Sequence, residues 1–489
     1  MQGNHHYRKQ ELITIFNSVI DKTLGEVDVN HVFDKTITHP KITGIAGDVI
    51  EQSVLGYPAD NSQKPDLVVD DVNTELKVTG LKIKNENKKE YFVAKEPMSI
   101  TAVSPKAIVH ECFPESAFYH KIAHMLIVYY LYDSKTTVLA ADYARFPIKD
   151  YDFHDFSEDE MHGLERDWQI VRNFIADIQA DYDVPEEQYP RISSELRPKL
   201  TYIDTAPKWP HSPRFRLKRA FVTTLVREHF GDRLSALPEH YASIDDIDSK
   251  LDAIRQMHYN ERMDEACQSL GIPITSSPAK QLAQQVVVRW FGGNAKRFQD
   301  VEIFAKMGLT PKTITLSSKG GRTEDMKLFD VDFEEWSDPD IAFEDSTLYD
   351  YFANRQFLFI ILQEPSSDAS LYENRFKGFI RYNFTDEQIE HHVRPVWDEV
   401  RRLIFTNTLT DVVKTDKHGR PMTNKKGNII SAPNFPKSKD YDIFLRGSGT
   451  DSDDKPVTVN GISMYRQQVW MKGKWIVDVV KDRILKIDN

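Results

Sequence analysis

The sequence predicts an α/β protein of two domains. Short runs of β-branched and aromatic residues alternate with segments whose apolar residues recur at helical spacing. At 489 residues the chain is longer than one hydrophobic core commonly organises. The second half also echoes the first, block by block and in the same order. Trp397-Asp-Glu-Val400-Arg401 repeats Trp168-Gln-Ile-Val171-Arg172, and Met471-Lys472-Gly473-Lys474-Trp475 repeats Leu217-Lys218-Arg219-Ala220-Phe221. Val288-Arg289-Trp290-Phe291-Gly292 repeats Gln52-Ser53-Val54-Leu55-Gly56. Such collinear self-similarity is the mark of a duplicated unit.

The elements follow from the N-terminus. Residues 8–24 place Leu12, Ile15, Phe16, Val19 and Ile20 on one helical face. Residues 47–55 read as a second helix that carries Glu51. Leu67-Val68-Val69 is a short apolar run, Asp70 to Asn73 a turn, and residues 74–80 a strand that Gly80 ends. Phe118 to Leu131 mixes a short helix with the buried run Leu126-Ile127-Val128. Residues 158–178 set Leu164, Trp168, Val171 and Ile175 on one helical face, which makes Trp168 a core residue. Phe215 to Phe230 runs from a strand or turn into a helix. Ile244, Ile247, Leu251 and Ile254 mark an acidic helical connector that ends in the breakers around Pro273 and Pro278. The stretch 406–460, rich in Asp, Asn, Lys and Gly, reads as a long loop with a hairpin or DNA-contacting segment at Lys417-His418-Gly419-Arg420. The expected domains are 1–232, a connector at 233–275, and 276–489.

Hydrophobic content of 40% and charged content of 28% fit a globular chain in water. The longest strongly apolar stretch, Met125 to Tyr132, is too short to span a bilayer, and the first residues lack the apolar core of a signal peptide. Cys112 and Cys267 are the only cysteines, so no disulfide framework is implied and a reducing cytoplasm is the expected location. A net charge of −12 argues against indiscriminate polyanion binding. Phosphate contacts depend on local patches, however, and one lies between Pro207 and Arg219: Lys208, Arg214, Arg216, Lys218 and Arg219 with no acidic residue. No nucleotide, flavin or zinc motif is present: Ser317 to Arg322 lacks the order of a P-loop, and His110-Glu111 lacks a second His.

One constellation carries chemistry. Lys64-Pro65-Asp66 is followed by Glu75-Leu76-Lys77. Residues two apart on a strand share a face, so Glu75 and Lys77 point the same way, and the turn at residues 70–73 returns Asp66 beside Glu75. Two converging carboxylates bind a hard divalent cation, and a neighbouring Lys orients water and offsets developing negative charge. Asp70 is the alternative ligand.

These blocks, with Gly44-Ile45-Ala46-Gly47-Asp48-Val49-Ile50-Glu51 before them, resemble MutH, the mismatch-repair nickase, and the Sau-three-A type of GATC-cutting restriction endonuclease. Thr23-Leu24-Gly25-Glu26, Leu164-Glu165-Arg166-Asp167-Trp168, Arg197-Pro198-Lys199 and Pro213 to Phe221 resemble further family blocks in the family's order, so the resemblance spans about residues 8–232. It implies two restriction-endonuclease-like (MutH-like) domains, each a mixed sheet flanked by helices, the second non-catalytic. It implies Mg2+ held by Asp66 and Glu75, Lys77 as the third catalytic group, and Glu51 completing the site. Its DNA contacts map to Arg197, Lys199, Arg214, Arg216, Lys218 and Arg219, and the internal echo at Met471 to Trp475 offers Lys472 and Lys474 as contacts in the second domain. The implied activity is double-strand cleavage of duplex DNA at 5′-GATC-3′, before the G, with a second site bound by the second domain. A homodimer on DNA and a companion methyltransferase acting on the same site, not stably bound, belong to the same expectation. A GATC nickase and a non-enzymatic DNA-binding regulator are the other readings. The resemblance to MutH ends near residue 232, and the intact Asp66, Glu75 and Lys77 speak against a regulator.

The sequence also departs from the family. The Asp66-to-Glu75 spacing is two residues longer than usual, and Arg216 stands where MutH has a Tyr near the methylated adenine, so methylation sensitivity does not carry over. In the second half, the aligned positions of Glu51, Glu75 and Lys77 become Val287, Thr315 and Ser317.

Overall fold

A computed structural model describes residues 5–58, 64–86, 89–134, 138–321, 324–424, 426–449 and 454–487. The chain divides into two compact units. Unit 1 takes residues up to 134, 138–253 and 280–310, and unit 2 takes 254–279 and 311 onward. Among the described residues no helix is long and apolar enough to cross a membrane.

Unit 1 is built on a mixed sheet. Its strands are β1 (His6–Tyr7), β2 (Leu67–Val69), β3 (Val72–Glu86), β4 (Lys89–Ala94), β5 (Met98–Ala102), β6 (Met125–Leu131), β7 (Ile148–His154), β8 (Ile203–Asp204) and β9 (Arg214–Leu217). The main sheet runs β1-β2-β3-β6-β7, with β4 folded back on β3, and β5-β9-β8 forms a second sheet. Among the described strands of this unit, β1-β2 and β3-β6 are the parallel pairs. The parallel β3-β6 pair needs a crossover, which α3 (Ala117–Ile122) helps to supply after α1 (Lys9–Asn17) and α2 (Ile45–Val49). The apolar run read at residues 126–128 is the centre of β6, buried throughout because both faces of the sheet are covered. The expected helix at 47–55 is α2 followed by a π-helical turn, Ile50–Val54. The helix expected at 158–178 is α4 (Glu158–Asp181), opened by a capping box between Ser157 and Glu160. The strand-then-helix at residues 215–230 is β9 followed by α5 (Arg219–His229). The connector helix is α6 (Ile244–His258). The segment 280–310 packs with unit 1, where the buried Lys306 ammonium lies 3.0 Å from Glu160.

Unit 2 has its own core, with Trp336, Phe352, Phe359, Trp397 and Val469 at its centre. The strands β10 (Leu309–Leu316), β12 (Gln356–Gln363) and β13 (Arg375–Tyr382) form one sheet in that order. A second, β11-β19-β16, joins Met326–Asp330, Arg466–Met471 and Ile443–Ser448. The stretch read as a loop at 406–460 contains paired strands, β14 (Asp411–Val413) with β15 (Ser431–Pro433), while β17 (Val457–Val459) pairs with β18 (Ile462–Met464).

The two units share internal details. Ser116 caps α3 by accepting from Tyr119 N–H at 3.0 Å and donates to the Phe113 carbonyl at 2.7 Å. Ser346 does the same for α7 (Thr347–Ala353), accepting from Tyr349 and donating to Phe343 at 2.6 Å. Arg172 donates to the carbonyls of Val109 and Glu111, and Arg401 to those of Trp336 and Asp338. Ile203 pairs with Leu217 as Ile443 pairs with Met471, and each pair is followed by a 2.8 Å backbone bond, from Lys218 to Tyr202 and from Lys472 to Asp442. The capping box at Ser157 has its counterpart at Thr385 and Gln388. The interval from that cap to Trp397 is one residue longer than from Ser157 to Trp168. A π-helical turn, Ile389–Val393, absorbs the extra residue before α8 (Arg394–Phe405).

Candidate active site

The β2-β3 hairpin sets the site. Asp70 and Asp71 form a two-residue turn with φ of 45° and 66°, a left-handed conformation that Asp tolerates and that suits the twist of a tight hairpin. The turn fixes the register at Val69 opposite Val72 and Leu67 opposite Thr74, so Asp66 arrives next to Glu75. The Leu76 N–H then donates to Asp66 Oδ2 at 3.0 Å. Asp70 is spent in the turn, where its carboxylate accepts from Lys9 N–H at 3.3 Å, so it is placed away from the alternative ligand role.

Leu76 faces the core, and Glu75 and Lys77 share the opposite face of β3. Glu75 is only 1% exposed. Its Oε1 accepts from Lys77 Nζ at 2.6 Å. A second ammonium, Lys121 Nζ from α3, donates to Oε1 at 2.9 Å and to Oε2 at 3.0 Å. The parallel β3-β6 pairing brings this about, because Glu75 lies opposite Met125 and α3 ends just before β6. Burial, followed by the charge of Glu75, pushes the Asp66 carboxyl up to about 6, while Lys121, Lys77 and the Leu76 N–H pull it down.

Glu51 lies on the π-helical turn, and its carbonyl accepts from Tyr57 N–H at 3.0 Å. Burial raises the Tyr57 phenol well above its ordinary pKa, and the charges of Glu51, Asp66, Tyr7 and Glu75 raise it further. Among the described residues no three His, Cys, Asp or Glu side chains are gathered closely enough to hold a metal ion alone. The donor set is therefore two adjoining carboxylates, Asp66 and Glu75. That set fits a magnesium-like ion, which commonly takes one or two carboxylates and completes its shell with water and phosphate oxygen.

Residues 55–167 match the family model described as DNA mismatch repair enzyme MutH. Over 481 residues the chain is 23% identical to the type II restriction enzyme Sau3AI of Staphylococcus aureus, an overlap of 89% of this chain and 92% of that enzyme. The chain is a relative of the MutH and Sau3AI enzymes. The MutH-matching segment contains Asp66, Glu75 and Lys77, and also Lys121 and Asp167. Lys121 is the residue that strand-and-spacing logic misses. A sequence signal for it exists only once residues 125–131 are recognised as the parallel neighbour of β3.

The basic residues fall into two groups. Lys199 and Arg214 are exposed, and Arg197 is half-buried on the turn after the helix Pro190–Glu195. Arg216 is paired with Asp204 at 2.7 Å, and Arg219 Nε donates to the Ala94 carbonyl at 2.8 Å. Lys218 is 8% exposed and donates to the Leu200 carbonyl, so it faces inward and ties down the chain just after Arg197-Pro198-Lys199. Asp167 completes this clamp. Its buried carboxylate accepts from the N–H groups of Thr201 and Tyr202 at 2.7 Å each and Ile203 at 3.1 Å. In unit 2, Lys472 is half-buried and Lys474 exposed at the entry to the helix Gly473–Ile487.

Proposed function

We propose that the chain is a restriction endonuclease that hydrolyses both strands of duplex DNA at 5′-GATC-3′, before the G. The observation that carries this reading is the convergence of Asp66, Glu75, Lys77 and Lys121 within a MutH-matching segment. Asp66 and Glu75 are the groups to hold Mg2+. When bound, such an ion supplies Lewis acidity toward the phosphodiester and the attacking water. Lys77 orients that water, and Lys121 holds the Glu75 carboxylate by both oxygens. Two ammonium groups beside one buried carboxylate also offset the negative charge that develops during phosphodiester hydrolysis. Glu51 closes the site from the π-helical turn.

Lys199 and Arg214 supply exposed charge for the duplex, and Arg197 sits on the same clamped turn as Lys199. Arg and Lys pair well with the major-groove acceptors of guanine, which makes Arg197 and Lys199 the groups to read sequence. Unit 2 is proposed as a divergent, non-catalytic copy that binds a second GATC site. Matching serine caps, arginine clamps and strand pairings support the duplication. The full-length similarity to a restriction enzyme favours this reading over a mismatch-repair nickase, since the MutH match is confined to residues 55–167. The purified protein should be incubated with unmethylated, hemimethylated and methylated plasmid, with Mg2+ or chelator. Linearisation of unmethylated plasmid in Mg2+, without added repair proteins, is the expected result. Nicking confined to hemimethylated plasmid would favour the nickase.

A further inference from the structure

Among the described residues, Tyr57 carries a buried hydroxyl donor with nothing to donate to. Gly56, with φ of 77°, turns the chain out of the π-helical turn and swings Tyr57 back over the site. The ring stacks on His5 at 4.0 Å and 20°, and His5 Nδ1 is hydrogen-bonded to the Asp66 carbonyl at 2.9 Å. Tyr57 is 7% exposed, and its hydroxyl has no hydrogen-bond partner among the described residues. A buried hydroxyl left unpaired costs about 1–3 kcal/mol, so such a group in a core needs a reason.

Burial raises the pKa of this phenol most, and the charges of Glu51, Asp66, Tyr7 and Glu75 raise it further. They keep the phenol protonated, so it serves as a hydrogen-bond donor. Glu51 is also bound to Tyr57 through the backbone, which keeps the two side chains on one turn. We infer that Tyr57 is a positioning residue, whose hydroxyl takes a Glu51 carboxylate oxygen as its acceptor and so aims Glu51 at the Asp66–Glu75 pair when that pair is loaded. The inference rests on the nuclease reading above and adds to it a residue that touches neither DNA nor metal.

The test uses four full-length proteins: wild type, Tyr57→Phe, Glu51→Gln and the double variant. Mn2+ is titrated calorimetrically into each without DNA, and single-turnover cleavage of an unmethylated GATC duplex is followed in Mg2+. Tyr57→Phe removes one oxygen and leaves the ring on His5, so its melting temperature should stay near that of wild type. Loss of one hydrogen bond to a charged group should weaken Mn2+ binding and slow cleavage, each about tenfold. In the Glu51→Gln background, Tyr57→Phe should weaken Mn2+ binding no further. Wild-type Mn2+ binding by Tyr57→Phe, losses that multiply in the double variant, or no Mn2+ binding by the wild type would each overturn the inference. Failure of the wild type to cut DNA in Mg2+ overturns the nuclease reading instead.

Discussion

Lys121 grips Glu75 by both carboxylate oxygens, at 2.9 and 3.0 Å, across 46 residues of sequence. With Lys77 on Oε1 as well, the buried Glu75 has two cationic partners. Lys121→Met keeps the stem and deletes the charge. It should slow single-turnover cleavage by about 10- to 100-fold and destabilise the protein by about 2 kcal/mol, since a buried carboxylate loses one of its partners. Rapid-quench kinetics and denaturant melts check both. A variant that cuts at the wild-type rate would show that Lys77 alone suffices.

Asp167 anchors the chain just after Arg197-Pro198-Lys199 by accepting from three backbone N–H groups. Replacing it with Asn turns an amide N–H2 toward backbone donors and removes the counter-charge of Lys218. Asp167→Asn should cost about 2–4 kcal/mol of stability and weaken cognate duplex binding through the misplaced Arg197 and Lys199. Lys199→Ala should weaken cognate binding while leaving stability unchanged. Equal loss on cognate and scrambled duplexes for Lys199→Ala would reduce it to a phosphate contact.

The Asp66 carboxyl is raised to about 6 by burial and by Glu75, against about 3.9 in an unfolded chain. The folded state therefore holds this proton more tightly, and the site loses stability as pH rises from about 4 to about 6 in metal-free protein. Asp66→Asn removes that loss. Its stability relative to wild type should improve across this window by on the order of 2 kcal/mol and stay level above it. Denaturant melts in chelator at stepped pH provide the measurement, and a difference that does not vary with pH would contradict the placement of Asp66 beside Glu75.

Much of this site was legible in the sequence because it obeys strand geometry. The alternation at Thr74 to Gly80 puts Glu75 and Lys77 on one face, and the Asp-rich turn returns Asp66 to them. Lys121 was hidden because its contact depends on a parallel crossover, which no local pattern encodes. Lys218 sits in a basic run, and composition cannot reveal that its ammonium turns inward to Leu200. The strands β14, β15 and β17 were missed because few of their residues are buried, and β16, with Ile443, Phe444 and Leu445 in the core, was missed because its apolar run is short and set among polar turn residues. The π-helical turns at Ile50–Val54 and Ile389–Val393 were invisible for a related reason, since one extra residue barely disturbs apolar spacing.

The second unit makes a separate prediction. If it binds a second GATC site, a two-site plasmid should be cut faster than a one-site plasmid, and an added GATC duplex should accelerate the slower reaction. Lys472→Ala and Lys474→Ala together should erase the difference while leaving the two-unit protein folded. Equal rates on both plasmids, with no response to added duplex, would make unit 2 a structural partner only.

Asp66 and Glu75 are proposed to make unit 1 a GATC-directed nuclease. Single-turnover cleavage of an end-labelled duplex with one unmethylated GATC, with the cut ends mapped on both strands, tests it most directly. Wild type in Mg2+ should cut each strand before the G, and Asp66→Ala and Glu75→Ala, folded and still bound to the duplex, should cut neither. Cleavage by either variant near the wild-type rate would remove Asp66 or Glu75 from the chemistry, and wild-type cuts unrelated to GATC would rule out a GATC-directed nuclease.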